Sequence, residues 1–238
     1  VQVAARLPEW LDVWFELEAL CSLATFAYLN PEYTLPTVMA PNEQDEQAVF
    51  SGQGLGHPLI QMEKKVTNDF TMTKLGEVVI VTGSNMAGKS TFLRTLGVNL
   101  CLVYAGGPVN AALLNTSLFR LFTCIRVSDS VADGYSYFYA EVRRLKALLE
   151  ELAKPDQLPL FFLVDEIFKG TNNRERLIGS RSYVRAVVGR NCVGLISTHD
   201  LELVRLADIM PNVSNQHFRE DVIDGGMVFD YVLRPGPS

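Results

Sequence analysis

Residues Val78 to Thr91 read VVIVTGSNMAGKST. A run of β-branched residues leads into a loop with a glycine at each end, and Lys-Ser-Thr follows. Gly83-Ser84-Asn85-Met86-Ala87-Gly88-Lys89-Ser90 fits GxxxxGK[ST] at every fixed position. Glycines allow the backbone to curl so that successive N–H groups point inward at phosphate oxygens. A helix launched from the loop adds the partial positive charge of its N-terminus. The spacing predicts a strand over Val78–Thr82, a phosphate-holding loop over Gly83–Thr91 and a helix from Lys89 to Tyr104. Gly106-Gly107-Pro108 stops that helix. In this reading Lys89 meets the β- and γ-phosphates of a nucleotide, and Ser90 ligates Mg²⁺.

Such a loop needs an acid at the end of a second strand. LFFLVDE, Leu160–Glu166, supplies one. Its apolar run predicts a buried parallel strand over Leu160–Val164. Asp165 is the candidate magnesium acid, and Glu166 is placed to polarise an attacking water. A third strand, Cys192–Ser197, leads into Thr198-His199-Asp200. A histidine at the carboxyl end of a parallel strand faces the crevice where ligands bind in such sheets. DGYSYFYAE, Asp133–Glu141, precedes an amphipathic stretch and has two readings from spacing alone. It is either a turn with Ser136 and Glu141 dressing a helix start, or a loop with a function of its own.

The rest of the chain follows a regular rhythm. Glu9–Leu29 places Leu11, Phe15, Leu20, Leu23 and Phe26 at roughly helical spacing, and Asn30-Pro31 ends that helix. Pro31, Pro36, Pro41 and Pro58 mark residues 31–60 as a linker, with a strand before Gly52 and a turn at 56–58. Val142, Leu145, Leu148, Leu149 and Leu152 define an amphipathic helix over Tyr139–Ala153. Further helices are expected from Asn173 and over Asp200–Ala207. His217–Leu233 alternates around Asp224-Gly225-Gly226, a hairpin signature. Strands alternating with helices imply an α/β fold with a mostly parallel central sheet flanked by helices. An N-terminal helical segment (1–48) is expected to precede the phosphate-binding domain (49–238), which closes on the hairpin.

Bulk composition sets limits. With 48% apolar and 20% charged residues the chain is that of an ordinary globular protein. A net charge of −6 argues against a DNA-gripping surface on this chain. Cys21, Cys101, Cys124 and Cys192 form no CxxC, which predicts reduced, mostly buried thiols and a cytoplasmic setting. Thr95–Phe119 carries no charge, but its asparagines and Gly-Gly-Pro break argue against a membrane span. The chain opens on valine and so reads as a piece of something longer.

TGSNMAGKSTFLR, SDSVADGYSYFYAE, FFLVDEIFKGTNNRER and STHDLELV, in this order, resemble the ATPase domain of the MutS family of DNA mismatch-repair proteins. The likeness covers roughly residues 50–235, and YLNPEYTLP resembles the end of the family's lever and core region. It implies an ABC-like P-loop ATPase that works as a dimer, with ATP and Mg²⁺ bound at composite sites. Ser136 matches the serine that completes the partner subunit's site. Asn85 matches a γ-phosphate contact, Asp165 and Glu166 the magnesium acid and catalytic glutamate, and His199 the switch histidine. Gly170 to Asn173 match the loop that crosses the dimer interface. DNA is then held by regions outside this chain.

Some positions depart from the family's pattern. Ser84 stands for a proline and Ala87 for a glycine, both small enough to keep a phosphate cradle. IFKGTNNRER differs from the usual interface loop and points to a divergent member. Lys65 or Val66 falls where the family stacks an aromatic on adenine, so an aliphatic stem is expected there, with Asn68 free to hydrogen-bond the base. A second reading is a nucleotide-gated dimerisation module with little turnover. A third, another ABC-like ATPase, expects an LSGGQ-type signature, which DGYSYF is not.

Overall fold

The computed structural model describes residues 2–39, 49–125, 137–155, 157–168, 171–223 and 226–237. In chain order these form α1 (Gln2–Leu29), β1 (Thr37–Val38), β2 (Phe50–Leu55), β3 (Asn68–Met72), β4 (Val78–Thr82) and α2 (Lys89–Tyr104). Then come β5 (Leu113–Thr116), β6 (Arg120–Cys124), α3 (Tyr137–Leu152), β7 (Leu160–Val164), α4 (Asn173–Val187) and β8 (Cys192–Ser197). The last are α5 (Leu201–Val204), α6 (Leu206–Ile209), β9 (Val213–His217), β10 (Glu220–Ile223), β11 (Gly226–Phe229) and β12 (Arg234–Pro235).

Among the described residues the main sheet runs β12-β9-β4-β8-β7-β6. Every pairing in it is parallel except that of β12 with β9. Parallel strands need their apolar residues on both faces, because both are covered. β4 obeys this: Val79 and Val81 enter one core, and Val78 and Ile80 the other. Phe161 and Leu163 of β7 divide from Phe162 and Val164 in the same way.

One face packs on α3, α4 and the short helices α5 and α6, through Leu145, Leu148, Val184 and Leu203. The other packs on α2 and on a second sheet, ordered β1-β5-β2-β3. That second sheet is absent from the sequence reading. Its strand β2 does not stop before Gly52 but runs through it to Leu55, with a register shift between the two. Gly52 and the left-handed Gly54 (φ 61°) break the alternation that would have marked a strand. The helix expected over 200–207 is instead two short helices meeting at Arg205, with Asp200 capping the first.

β1 pairs with β5, and Thr34 bridges to Val109, so residues 34–39 are stitched to the second sheet. The apolar stripe of α1 is only partly covered: Leu11, Phe15 and Leu20 are exposed, and burial begins near Leu23 and Phe26. Two of the four cysteines, Cys21 and Cys101, are exposed, so the thiols are evenly divided rather than mostly buried. Among the described residues no helix is long and apolar enough to cross a membrane.

A buried amide locks α2 to the segments around it. Asn99 is fully buried, and its Nδ2 donates to the carbonyls of Gly56 (3.0 Å) and Thr95 (2.9 Å). Its Oδ1 accepts from the Asn110 N–H at 2.8 Å. Removing one partner of a buried hydrogen bond leaves the others desolvated. Asn99→Ala is therefore expected to cost about 2–4 kcal/mol, from two stranded backbone groups and a small cavity. Urea denaturation of the variant measures this.

Candidate functional site

The register of the parallel strands assembles the site. β8 lies between β4 and β7, with Val81 beside Ser197 and Val164 beside Ile196. The loops leaving the carboxyl ends of these three strands therefore meet at one edge of the sheet. The loop after β4 carries Gly83–Gly88, that after β7 Asp165–Phe168, and that after β8 Thr198–Asp200.

The first loop requires its glycines. Gly83 has φ 138°, and a Cβ there would lie 2.5 Å from the Phe218 carbonyl oxygen. Gly88 has φ 113° and turns the chain into α2. Ala87, between them in the cradle, is fully buried against the core, so a methyl group is accepted. Lys89 is 5% exposed, and its Nζ donates to the carbonyls of Gly83 (2.8 Å) and Ser84 (2.7 Å). Burial pushes the ammonium below the usual lysine value, while the charges of Glu166, Asp165 and Glu220 pull it back.

The second loop is strained and pinned. Glu166 and Phe168 both adopt left-handed backbone, at φ 54° and 56°. Each such residue costs on the order of 1–3 kcal/mol unless its surroundings hold it. Side chains from elsewhere grip both N–H groups. Ser197 Oγ accepts from Glu166 N at 2.9 Å while donating to Asp165 Oδ1 at 2.5 Å. Glu141 Oε1 accepts from Phe168 N at 2.5 Å. Glu141 is thus more than a helix-start residue: it is 2% exposed and ties α3 to the acidic turn. Glu166 Oε1 meets His199 Nε2 at 3.0 Å, so the third loop touches the second.

A cavity of about 670 Å³ opens along these loops. Its wall combines the polar Asn85, Lys89, Ser90, Thr91 and Glu166 with the apolar or aromatic Leu55, Ile60, Val66 and Tyr231. Tyr231, at φ 56°, is held against Gly88 by its neighbours. Asn68 Nδ2 donates to the Tyr231 carbonyl (3.0 Å), and Asn68 Oδ1 accepts from Leu233 N (2.6 Å). Hydrogen bonds from Arg234 hold the Asp230 carboxyl down at about 2, fixing the same segment. Asn68, expected to be available to a base, uses one N–H and its oxygen to hold the Tyr231–Leu233 segment. It still borders the cavity. A smaller cavity of about 160 Å³ shares Asn85 and Glu166 and adds Arg176, Thr198 and His199.

The structure brings Asn85, Met86, Gly88, Lys89, Ser90, Thr91, Glu166 and Asn68 to one cavity. Gly83 and Ser84 line a separate hollow with His199. Asp165 is off the wall of these cavities, beside Glu166, and is oriented by Ser197. Ser136 and Gly170 lie outside the described residues. Ser197, Glu141 and Arg176 lie at the edges of the quoted motifs without being singled out for the site, and Tyr231 lies outside them. An ammonium (Lys89), a hydroxyl (Ser90) and a carboxylate (Glu166) share the large cavity with apolar walls, a set of groups that a nucleotide with its metal could use.

MutS domain V matches residues 79–238. The chain belongs to the MutS family. Two relatives, the DNA mismatch repair proteins MutS of two strains of Thermus thermophilus, are each 34% identical over 237 residues. The match covers 99% of this chain and 27% of each relative, so the chain spans about a quarter of their length. The MutS match begins at Val79, inside β4, and takes in all three loops.

The serine bridge gives a direct test of the acidic turn. Ser197→Ala removes the donor to Asp165 and the acceptor for Glu166 N–H at nearly constant volume. It is expected to cost about 1–3 kcal/mol of stability. Thermal and urea unfolding read the loss.

Proposed function

We propose that this chain is the C-terminal ATPase domain of a divergent MutS-like mismatch-repair protein and hydrolyses ATP with Mg²⁺. One observation carries the reading. Glu166 lines the same cavity as Lys89 and Ser90, and its Oε1 meets His199 Nε2 at 3.0 Å in the smaller cavity alongside. In this proposal Gly83–Thr91 cradle the phosphates and Lys89 faces the β- and γ-phosphates. Ser90 and Asp165 hold Mg²⁺, and Asn85 contacts the γ-phosphate. When bound, the metal neutralises phosphate charge and polarises the phosphoryl group.

Glu166 takes the proton of the attacking water, as a carboxylate within reach of the terminal phosphate can. His199 Nε2, at 3.0 Å, fixes the carboxylate's direction. The water oxygen bonds to the γ-phosphorus as the bond to the bridging oxygen breaks, leaving ADP and orthophosphate. Tyr231 supplies the aromatic wall that Lys65 and Val66 lack, and the adenine packs between it and Val66. Ser136 completes the site of a second copy in a homodimer, and closure of that dimer is passed to a DNA clamp. DNA contact falls to regions outside this acidic chain, in a cytoplasmic setting. The domain occupies residues 49–238, with residues 34–39 sewn to its edge.

Glu166→Gln in the intact protein is expected to bind Mg·ATP normally and lose at least about 100-fold in turnover. Absence of turnover in the wild-type dimer, with ATP-dependent association retained, would favour a nucleotide-gated module instead. Tyr231→Ala is expected to weaken ATP and ADP alike by roughly tenfold, about 1.4 kcal/mol of stacking. Equilibrium binding of both nucleotides checks this.

A further inference from the structure

The smaller cavity holds a cation that the proposed chemistry has not used. Arg176 lies in the first turns of α4, and its Nη2 donates to Asn173 Oδ1 at 3.0 Å. Its Nε is shut off from solvent with no hydrogen-bond partner. Among the described residues, Arg176 makes no ion pair. The nearby acids are engaged elsewhere: Glu175 accepts from Thr171 Oγ1 at 2.7 Å, and Glu166 meets His199. A guanidinium carries five donors in a planar fork that matches a phosphate, and a buried unpaired donor is costly. The cavity it lines, of about 160 Å³, shares Asn85 and Glu166 with the nucleotide cavity.

We propose that Arg176 is a terminal-phosphate contact: its guanidinium pairs with the γ-phosphoryl oxygens of ATP and then with the orthophosphate released. The proposal rests on the reading of the large cavity as an ATP site. Its logic is electrostatic. The Glu166 carboxylate must approach a polyanion, and their repulsion needs a counter-charge on the Glu166 side of the phosphate. Lys89 is anchored to the phosphate loop. Arg176 lies on the opposite helix with donors unspent. As the water oxygen bonds to phosphorus, the electron pair of the broken bond stays on ADP and the proton passes to Glu166. Charge then gathers on the phosphoryl oxygens, where an arginine is most effective. Contact with the terminal phosphate alone also makes Arg176 a discriminator between ATP and ADP.

Equilibrium binding of Mg·ATP and Mg·ADP to the intact protein tests this in a Glu166→Gln background, where ATP persists. In that background a mere Arg176–Glu166 charge pair is already gone. Adding Arg176→Ala is expected to weaken Mg·ATP roughly tenfold or more, with Mg·ADP held within about twofold. Arg176→Lys should recover part of the loss. Equal weakening of both nucleotides would assign Arg176 to the fold, and unchanged ATP binding would remove it from the phosphate; either result overturns the proposal. If the Glu166→Gln protein binds neither nucleotide, the ATP site itself fails, and that is seen before Arg176 is touched.

Discussion

The parallel register of β4, β8 and β7 is the constraint on which the rest depends. Val81 beside Ser197 and Val164 beside Ile196 fix where three loops leave the sheet. A slip of one residue would turn each strand's side chains to the opposite face. Val78 and Ile80 would change cores with Val79 and Val81, and Ser197 would no longer face Asp165. The apolar packing on both sides of the sheet thus sets the position of the polar groups at its edge. Burial supplies the energy, and the site inherits the geometry.

At that edge the backbone is held in conformations it would not choose. Glu166 and Phe168 are left-handed without being glycine. Ser197 and Glu141, from β8 and α3, each take one of the strained N–H groups. The acidic turn is therefore shaped by two neighbours rather than by its own sequence. Glu141 also stands five residues after Ser136 in the sequence and lies on α3. A shift of α3 would be felt at the turn that carries Glu166.

Much of this was legible in the residues. β4, β7, β8, α2 and the start of α4 fall where periodicity and punctuation put them, because long apolar runs and a helix-launching loop leave few alternatives. The second sheet was not legible. Gly52 and Gly54 interrupt one strand, and the alternation over Asn68–Met72 is only five residues long, so their pairing is decided by the face of the main sheet they cover. In the candidate site, the central residues of the motifs were visible, whereas Ser197 and Arg176, at motif edges, were passed over because their roles depend on contacts with other loops. Tyr231 lies outside the motifs and reaches the cavity from the far end of the chain. Asn68 was singled out for a base, and the bonds it also makes to the backbone of Tyr231 and Leu233 could not be read from the sequence.

That last contact has a consequence for the order of assembly. Asn68 and Tyr231 stand 163 positions apart, and their bond closes one wall of the large cavity. Contacts of such high sequence separation form only after most of the chain is available. The Gly83–Gly88 loop is no earlier: β4 pairs with β8 and β9, and Gly83 rests against the Phe218 carbonyl. On a ribosome, both the glycine loop and the Tyr231 wall therefore wait for the end of the chain that carries β9 and Tyr231. The cavity is shaped late and from both sides together.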